Sequence, residues 1–242
     1  MSNRYVPGRL AGMASSPTTA KVIPYPLLGM TVVTGLVDAV SFLSLGHVFT
    51  ANMTGNIVFL AFAAAHVSGL YIAHSLTALL AFLMGATLGG RVMARASSDS
   101  PVRFAAQAFL LEVALLFAAS FCAIGYRGDL LEHSFQPFAL IALTAVAMGT
   151  RNAAVRKLAI PDLTTTVLTL TITGIGADSS LANGNNPRLG KRVASVAAMF
   201  LGAALGAVII RYSISAALWL ATAISAACCA VLFRSVRASD KL

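Results

Sequence analysis

The 242-residue chain is 58% hydrophobic and only 10% charged, and its mean hydropathy is +0.83. A water-exposed domain of this length needs far more charge to cover its surface, so the composition excludes one and predicts an integral membrane protein. The formal net charge is +9, but the basic residues stand in short clusters at the ends of apolar segments, which is typical of topology signals and excludes a nucleic-acid partner.

Residues 1–25 are polar, basic and rich in Ser, Thr, Gly and Pro, and they predict a disordered cytoplasmic tail. The tail is followed by a single predicted transmembrane domain over residues 26–235 and by a second predicted cytoplasmic tail over 236–242. Six segments of the domain are long enough to cross a bilayer as helices. They lie at about 27–46, 71–91, 104–124, 137–156, 193–211 and 214–233.

Two further apolar segments, at about 53–66 and 164–178, are short and begin with polar runs. Roughly 14 helical residues cover only ~21 Å of a hydrocarbon core of about 30 Å. The predicted fold class is therefore an all-α membrane protein with six transmembrane helices and two short re-entrant half-helices. A re-entrant backbone must be buried in protein or line a wet cavity.

The distribution of basic residues favours re-entry over crossing. With the N-terminus inside and both short segments re-entering, all but Arg127 and Arg211 of the 17 Lys and Arg residues lie on the inner side. If both short segments crossed, the cluster Arg91–Arg103 would move outside, against the positive-inside rule. The predicted location is a bacterial cytoplasmic (inner) membrane, with several passes and both termini in the cytoplasm.

An internal repeat divides the domain into halves at about 27–126 and 135–233. Each half reads as a span, a short half-helix, a span with a Gly-Ala-x-Leu-Gly motif and a final span. Because each half has an odd number of spans, the second half starts on the opposite side of the membrane, which makes the repeat a 3+3 inverted repeat. Inverted repeats with interrupted helices are typical of secondary transporters. The glycine motifs themselves predict close helix packing. The matching positions are Gly35–Ala39 with Gly149–Ala153 and Thr50 with Thr164, each 114 residues apart, and Gly85–Gly89 with Gly202–Gly206, 117 residues apart.

Asp38 stands near the middle of the first predicted span, where an unpaired carboxylate costs roughly 2.5–3.5 kcal/mol and must face protein or water. It is either a ligand for a coupling ion, proton or substrate, or a structural residue that locks helices together. Its counterpart in the second half of the repeat is Asn152, which has nearly the same shape but no charge. The pair therefore suggests a site with one ionisable residue from the first half and one neutral polar residue from the second. Glu112, in the third span, is either a proton relay or a paired structural acid. Arg151 can pair with either acid or, as we favour, extend to the interface and mark orientation.

The two short segments supply neutral polar groups. Asn52, Thr54 and Asn56 surround the start of the first, where free helix N–H groups favour an anion and the side-chain oxygens can instead hold a cation or a neutral solute. The alternative is an ordinary N-cap. In the second segment, Thr166 and Thr169 are spaced to share one helix face, which suits a solute path or hydrogen bonds between helices.

The sequence contains no recognised catalytic or nucleotide-binding motif, which predicts a protein that is not an enzyme and has no cofactor. The His residues are scattered without metal-ligand spacing, and His66 and His74 are expected at a membrane interface. Cys122, Cys228 and Cys229 lie in apolar stretches and predict neither a disulfide nor a metal site.

Two stretches resemble the YoaK family of bacterial membrane proteins. The run Gly35-Leu-Val-Asp-Ala-Val-Ser-Phe-Leu43, with Val48–Asn56, is similar to the opening of that family. Met148–Ala153 and the Thr-rich Thr164–Gly174 are similar to its second signature, although a repeated Thr-Gly-Asn is missing there. The resemblance covers about residues 25–235. It implies a membrane location and a helical fold, and it leaves the activity open.

These features together predict a transporter or channel-like protein for a small polar solute or ion, bound at the interface of the repeat halves. Asp38 would be the chargeable group, and Thr54, Asn56, Asn152 and Thr166 would supply neutral ligands. The alternative is a non-transporting membrane scaffold or subunit, in which the same residues only hold helices together. The lipid bilayer is a partner in both cases, and a homo-oligomer is compatible with both.

Overall fold

The computed structural model describes residues 24–95, 101–128, 135–160, 163 and 165–239. Within these residues the regular structure is helical throughout. In chain order the helices are α1 (Pro24–Ser44), α2 (Met53–Ala64), α3 (Ile72–Ala94), α4 (Pro101–Cys122), α5 (Phe135–Leu158), α6 (Thr169–Ala177), α7 (Leu189–Ile210) and α8 (Ile214–Ser239). A single 3-10 turn, Ser180–Ala182, stands between α6 and α7.

Six of these helices have the length and hydropathy to cross a membrane: α1, α3, α4, α5, α7 and α8. Each starts within four residues of its predicted position, because a run of about 20 apolar residues is a strong signal for a spanning helix. The prediction of six helices of spanning length and hydropathy is confirmed. The last helix continues to Ser239, past the predicted domain boundary at 235. The predicted tails fall largely on residues 1–23 and 240–242, which lie outside the described residues.

The other two helices are short, with 12 residues in α2 and 9 in α6. We call the segments that precede them the first break (residues 45–52) and the second break (residues 159–168). The helix α6 begins at Thr169, later than expected, because Thr165 has φ +62, which a right-handed helix does not admit. Thr164, the predicted counterpart of Thr50, lies outside the described residues.

The helices form an inner pair surrounded by a periphery. In α1 and α5, 67% of the most apolar 18-residue stretch of the helix is buried inside the protein, whereas the corresponding share is 33% in α3 and 22% in α7. The helix α1 packs against α7 and α8, α5 packs against α3 and α4, and α4 contacts α8. The short helices lie against the periphery, α2 on α3 and α6 on α7. Polar residues of α1 and α5 are thus shielded from lipid, whereas α3 and α7 expose apolar side chains to it.

Glycines let the peripheral helices approach the inner pair backbone to backbone. A Cβ atom on Gly85 of α3 would strike the backbone of Val146 in α5, and one on Gly202 of α7 would strike the backbone of Val32 in α1. In a bilayer the close approach of small residues is a main source of helix association, since lipid is as apolar as the side chains. The close-packing interpretation of both Gly-Ala-x-Leu-Gly motifs is confirmed.

Candidate functional site

A buried arginine organises the centre of the bundle. Arg151 on α5 has a fully buried side chain. Its Nη1 donates to the carbonyl oxygen of Met30 at 2.8 Å and to Glu112 Oε1 at 3.2 Å, and its Nη2 donates to the Thr34 hydroxyl. The interpretation that Arg151 extends to the membrane interface is therefore wrong. Acceptors from α1 and α4 satisfy most of its guanidinium donors inside the protein, and its Nε has no hydrogen-bond partner among the described residues.

Glu112 on α4 is the counter-ion of Arg151, and its side chain is equally buried. Its Oε1 accepts a second hydrogen bond from the Ser225 hydroxyl on α8 at 3.2 Å. Of the two roles predicted for Glu112, this geometry corresponds to the paired structural acid. The ion pair and its neutral partners, which include Thr34, join α1, α4, α5 and α8 in one polar network.

Asp38 on α1 is partly buried and stands apart from this ion pair. Its Oδ1 accepts a hydrogen bond from the Ala51 backbone N–H at 3.2 Å, and the Thr50 N–H also faces the carboxylate. Arg151 lies within electrostatic range, but its guanidinium is bonded to Glu112 instead. Among the residues that the structure describes, no Lys, Arg or His side chain lies within ion-pair distance of Asp38. Asp38 therefore holds the first break through backbone N–H groups and has no ion-pair partner among the described residues.

The first break places its polar residues in different surroundings. Thr50 is fully buried, and its Oγ1 has no hydrogen-bond partner within the described chain. Asn56 is also fully buried, and its amide accepts from the Phe49 N–H at 2.9 Å and donates to the Phe49 carbonyl oxygen. Asn56 thus braces the break with its side chain. Asn52 occupies the N-cap position of α2 without a side-chain cap bond, and Thr54 is exposed.

The second break is held by a residue in an uncommon conformation. Thr165 has φ +62, an outlier for a β-branched residue. Its carbonyl oxygen accepts a hydrogen bond from the Thr34 hydroxyl at 2.8 Å, while its own buried Oγ1 has no partner in the described part of the chain. Thr166 is buried and Thr169 is exposed. The prediction that these two share a helix face is wrong, because Thr166 precedes α6 and Thr169 begins it.

Both breaks meet α1 within one helical turn. Thr34 bonds the carbonyl oxygen of Thr165 in the second break, and Asp38 bonds the N–H of Ala51 in the first. The two α1 residues are four positions apart, so they share one face and lie about 6 Å apart along the helix axis. The breaks therefore converge on one turn of a 21-residue helix of spanning length, the first at Asp38 and the second at Thr34.

Asn152, the predicted neutral counterpart of Asp38, follows Arg151 on α5 and is partly buried. Successive residues of a helix point about 100° apart. The side chain of Asn152 is thus directed away from that of Arg151. The structure brings Asp38, Glu112 and Arg151 to the central region, and it leaves Asn152 on a neighbouring face of α5.

Sequence reasoning missed three residues of this region: Thr34, Thr165 and Ser225. The i, i+4 spacing of Thr34 and Asp38 was a visible signal, since it places two polar groups on one face of an apolar helix. Thr165 was part of a noted Thr-rich run but was not selected. Ser225 reaches Glu112 only because α4 and α8 pack together, and no local pattern reveals that contact.

A second ion pair lies away from the centre and holds α6 against α7. Arg192 Nη2 lies 2.7 Å from Asp178 Oδ2, and Arg192 Nη1 donates to the Gly174 carbonyl oxygen. The C-terminal carbonyls of a helix carry partial negative charge and lack partners within the helix. Arg192 thus stabilises the end of α6 and fixes the short helix that follows the second break.

The described residues contain no group of three or more His, Cys, Asp or Glu side chains that could hold a metal ion. His66 is exposed, as expected for an interfacial residue. His74, in the first turn of α3, is buried between the rings of Tyr71 and Phe138, with centroid distances of 5.1 and 4.8 Å. Its surroundings are those of a packed aromatic residue.

Comparison with known proteins places the chain among membrane proteins. The sequence profile of the family described as "Protein of unknown function (DUF1275)" matches residues 27–231, a range that includes every central polar residue described above. The chain is 36% identical over 163 residues to the UPF0700 transmembrane protein YoaK of Bacillus subtilis (strain 168). That alignment covers 67% of this chain and 70% of that protein. No solved structure matches the chain.

Proposed function

The chain belongs to the DUF1275 family of proteins of unknown function and is a multi-pass transmembrane protein, and from this premise we propose that it is a transporter or channel-like protein for a small polar solute or ion. The resemblance to the YoaK family is thereby confirmed. The proposed location is a bacterial cytoplasmic membrane with both termini inside. The basic clusters at the inner ends of the spans support that orientation.

Asp38 carries the proposal. Its carboxylate is partly buried within a helix of spanning length and bonded to the first break, and it lies one helical turn from the contact of Thr34 with the second break. The nearby Arg151 is bonded to Glu112. A charged residue at this depth is costly unless it faces protein or water, and such residues mark ion and substrate pathways. Discontinuous helices that meet at mid-membrane are the usual setting of transporter sites, because their free backbone groups bind the ligand.

We further propose that α2 and α6 are re-entrant half-helices. Their lengths correspond to about 18 and 14 Å, which is too short to cross the core. The first break leaves the C-terminal end of α1 and returns to the level of Asp38, and the second break reaches the level of Thr34. These contacts support entry of the two breaks from opposite faces, with their tips at the middle of the bundle.

An inverted 3+3 repeat accounts for the packing of the helices. The pairs α1–α7 and α5–α3 correspond under exchange of the halves, and so do α1–α8 and α5–α4. A Cβ atom on Gly35 would strike Met199, and one on Gly149 would strike Phe82. Gly35 and Gly149 are 114 residues apart, and Phe82 and Met199 are 117 apart, which are the separations of the sequence repeat. The repeat interface then coincides with the region around Asp38, and movement of one half against the other gives alternating access.

A membrane scaffold or subunit is the second candidate function. The observation that favours it is the ion pair between Arg151 and Glu112, which joins four helices through contacts between protein groups and needs no bound solute. On that reading Asp38 only fixes the first break. No catalytic role is proposed in either case: the Ser225 hydroxyl is bonded to Glu112, but both groups are fully buried and the carboxylate is paired with Arg151.

A ligand-stabilisation screen on the purified protein distinguishes the two functions. A solute that binds the native state raises Tm in proportion to its concentration over Kd. We expect at least one small polar solute to raise the Tm of the wild-type protein and to have no effect on Asp38→Asn. If Asp38→Asn lowers Tm or membrane abundance while every solute response is retained, Asp38 has no binding role and the scaffold interpretation stands.

Asp178→Asn is the matched control for this screen. It makes the same chemical change at an acid whose side chain is 45% exposed and bonded to Arg192. This acid lies at the end of α6, away from the breaks. We therefore expect Asp178→Asn to keep the solute response, so that a loss in Asp38→Asn reports on the central site.

A further inference from the structure

Two threonine hydroxyls at the breaks are buried without a protein partner. Thr50 in the first break and Thr165 in the second are fully buried, and neither Oγ1 forms a hydrogen bond within the described chain. Buried polar side chains almost always have a partner, and a bound water or ion is one of the features that account for an exception. The two hydroxyls come from different halves of the chain, so the local conformation of a single segment does not explain why both lack a partner.

Both hydroxyls belong to residues whose backbones contact the same face of α1. Thr50 precedes Ala51, whose N–H is bonded to Asp38, and the Thr50 N–H faces the same carboxylate. The Thr165 carbonyl oxygen is bonded to Thr34, one helical turn from Asp38 on the same face of α1. Asp38, Thr50 and Thr165 therefore lie beside the same turn of α1.

The charged groups that the structure describes at this point do not balance. The positive charge of Arg151 is matched by the negative charge of Glu112, with which it forms a fully buried ion pair. An ionised Asp38 adds one negative charge that no described Lys, Arg or His neutralises, and a charge inside a membrane protein needs a partner. A single positive charge that accepts oxygen ligands would supply that partner.

We propose that the breaks bind one Na⁺ ion, held by the carboxylate of Asp38 and the hydroxyl oxygens of Thr50 and Thr165. A hard cation prefers carboxylate, hydroxyl and carbonyl oxygens, and unwound backbone near half-helices supplies such ligands in transporters. A proton would satisfy the carboxylate but leave both hydroxyls without a partner. A divalent ion would replace one uncompensated charge by another. The inference rests on the proposed function, for which Na⁺ would be the coupling ion.

Binding of ²²Na⁺ to the purified full-length protein, measured by scintillation proximity in choline chloride, tests the proposal. We expect saturable binding of about one ion per chain that is displaced by excess NaCl and not by excess choline chloride. Asp38→Asn is expected to abolish it, and Thr50→Val and Thr165→Val to weaken it at least ten-fold. The matched control is Thr31→Val, because Thr31 is buried on the same helix and its hydroxyl is bonded to the Leu27 carbonyl oxygen of that helix.

The outcomes separate this inference from the proposed function. Folded wild-type protein that binds no ²²Na⁺, or binding that Asp38→Asn retains, would overturn the Na⁺ site. Displacement by KCl as effective as by NaCl would also overturn it as a sodium site. A solute that stabilises the wild-type protein equally in NaCl and choline chloride would leave the proposed transport function standing without Na⁺. Because each variant is first checked for a cooperative thermal transition, misfolding of Thr165→Val is recognised, and Thr50→Val then carries the test.

Discussion

Arg151 and Glu112 form an ion pair at 3.2 Å in which both side chains are fully buried. The pair links α5 to α4, and its remaining hydrogen bonds extend to α1 and α8. A buried ion pair adds little net stability compared with apolar residues, but breaking it leaves a bare charge in an apolar interior. Its consequence for function is indirect: with Arg151 bonded to Glu112, Asp38 is left without an ion-pair partner among the described residues.

Removal of one member of this pair should be far more damaging than removal of both. Arg151→Met or Glu112→Leu alone is expected to destabilise the protein by about 3–5 kcal/mol, because the other charge stays buried without a counter-ion. The double variant should recover most of that loss. The measurement is thermal unfolding of the two singles and the double in detergent, analysed as a double-mutant cycle. Strictly additive effects would mean that the two side chains do not interact in the folded protein.

Two adjacent glycines of α3 should respond oppositely to the same substitution. A Cβ atom on Gly89 would strike the backbone of Thr150 in α5, whereas one on Gly90 meets nothing within 4 Å. Gly89→Ala should destabilise the protein by about 1–3 kcal/mol through overpacking. Gly90→Ala should be neutral or stabilising, since alanine is the better helix former. The Tm values of the two variants decide, and an equal response would contradict the close α3–α5 contact.

Asn56 and Asn52 offer a second matched pair, within the same segment. Asn56→Ala removes both hydrogen bonds to the backbone of Phe49 in the first break, and it should cost about 1–3 kcal/mol because those buried groups lose their partner. Asn52→Ala should change stability by less than about 0.5 kcal/mol, because its side chain forms no cap bond. Unfolding temperatures and membrane abundance of the two variants test this, and a larger loss for Asn52→Ala would contradict it.

Cysteine accessibility in intact cells tests the re-entrant half-helices. Single cysteines at Ser68, Ser98 and Asn185, in a background lacking Cys122, Cys228 and Cys229, report the side of three connections. With both half-helices re-entering, an impermeant reagent should label Ser68→Cys and should not label Ser98→Cys or Asn185→Cys. Labelling of Ser98→Cys without Ser68→Cys would mean that α2 crosses the membrane, and the inverted repeat would then be lost.

Much of the fold could be predicted from the sequence. The six spans follow from apolar runs, because each helix must satisfy its own backbone hydrogen bonds in lipid and does so with about 20 consecutive residues. The glycine motifs correctly indicated close packing, because glycine has no side chain to hold a neighbouring backbone at a distance. The start of α6 was misplaced because the conformation of Thr165 depends on its contact with Thr34, 131 residues away.

The sequence by itself determined that this protein lies in a membrane, which six segments have the length and hydropathy to span it, and that Asp38 and Glu112 are acids within two of those segments. Only the tertiary structure decided what those acids contact. Among the described residues, Glu112 receives Arg151 from another helix, whereas the Asp38 carboxylate receives backbone groups of the first break and Asn56 is bonded to Phe49. Hydropathy is a property of each segment alone, whereas the partner of a buried polar group depends on which faces the packed helices turn towards one another.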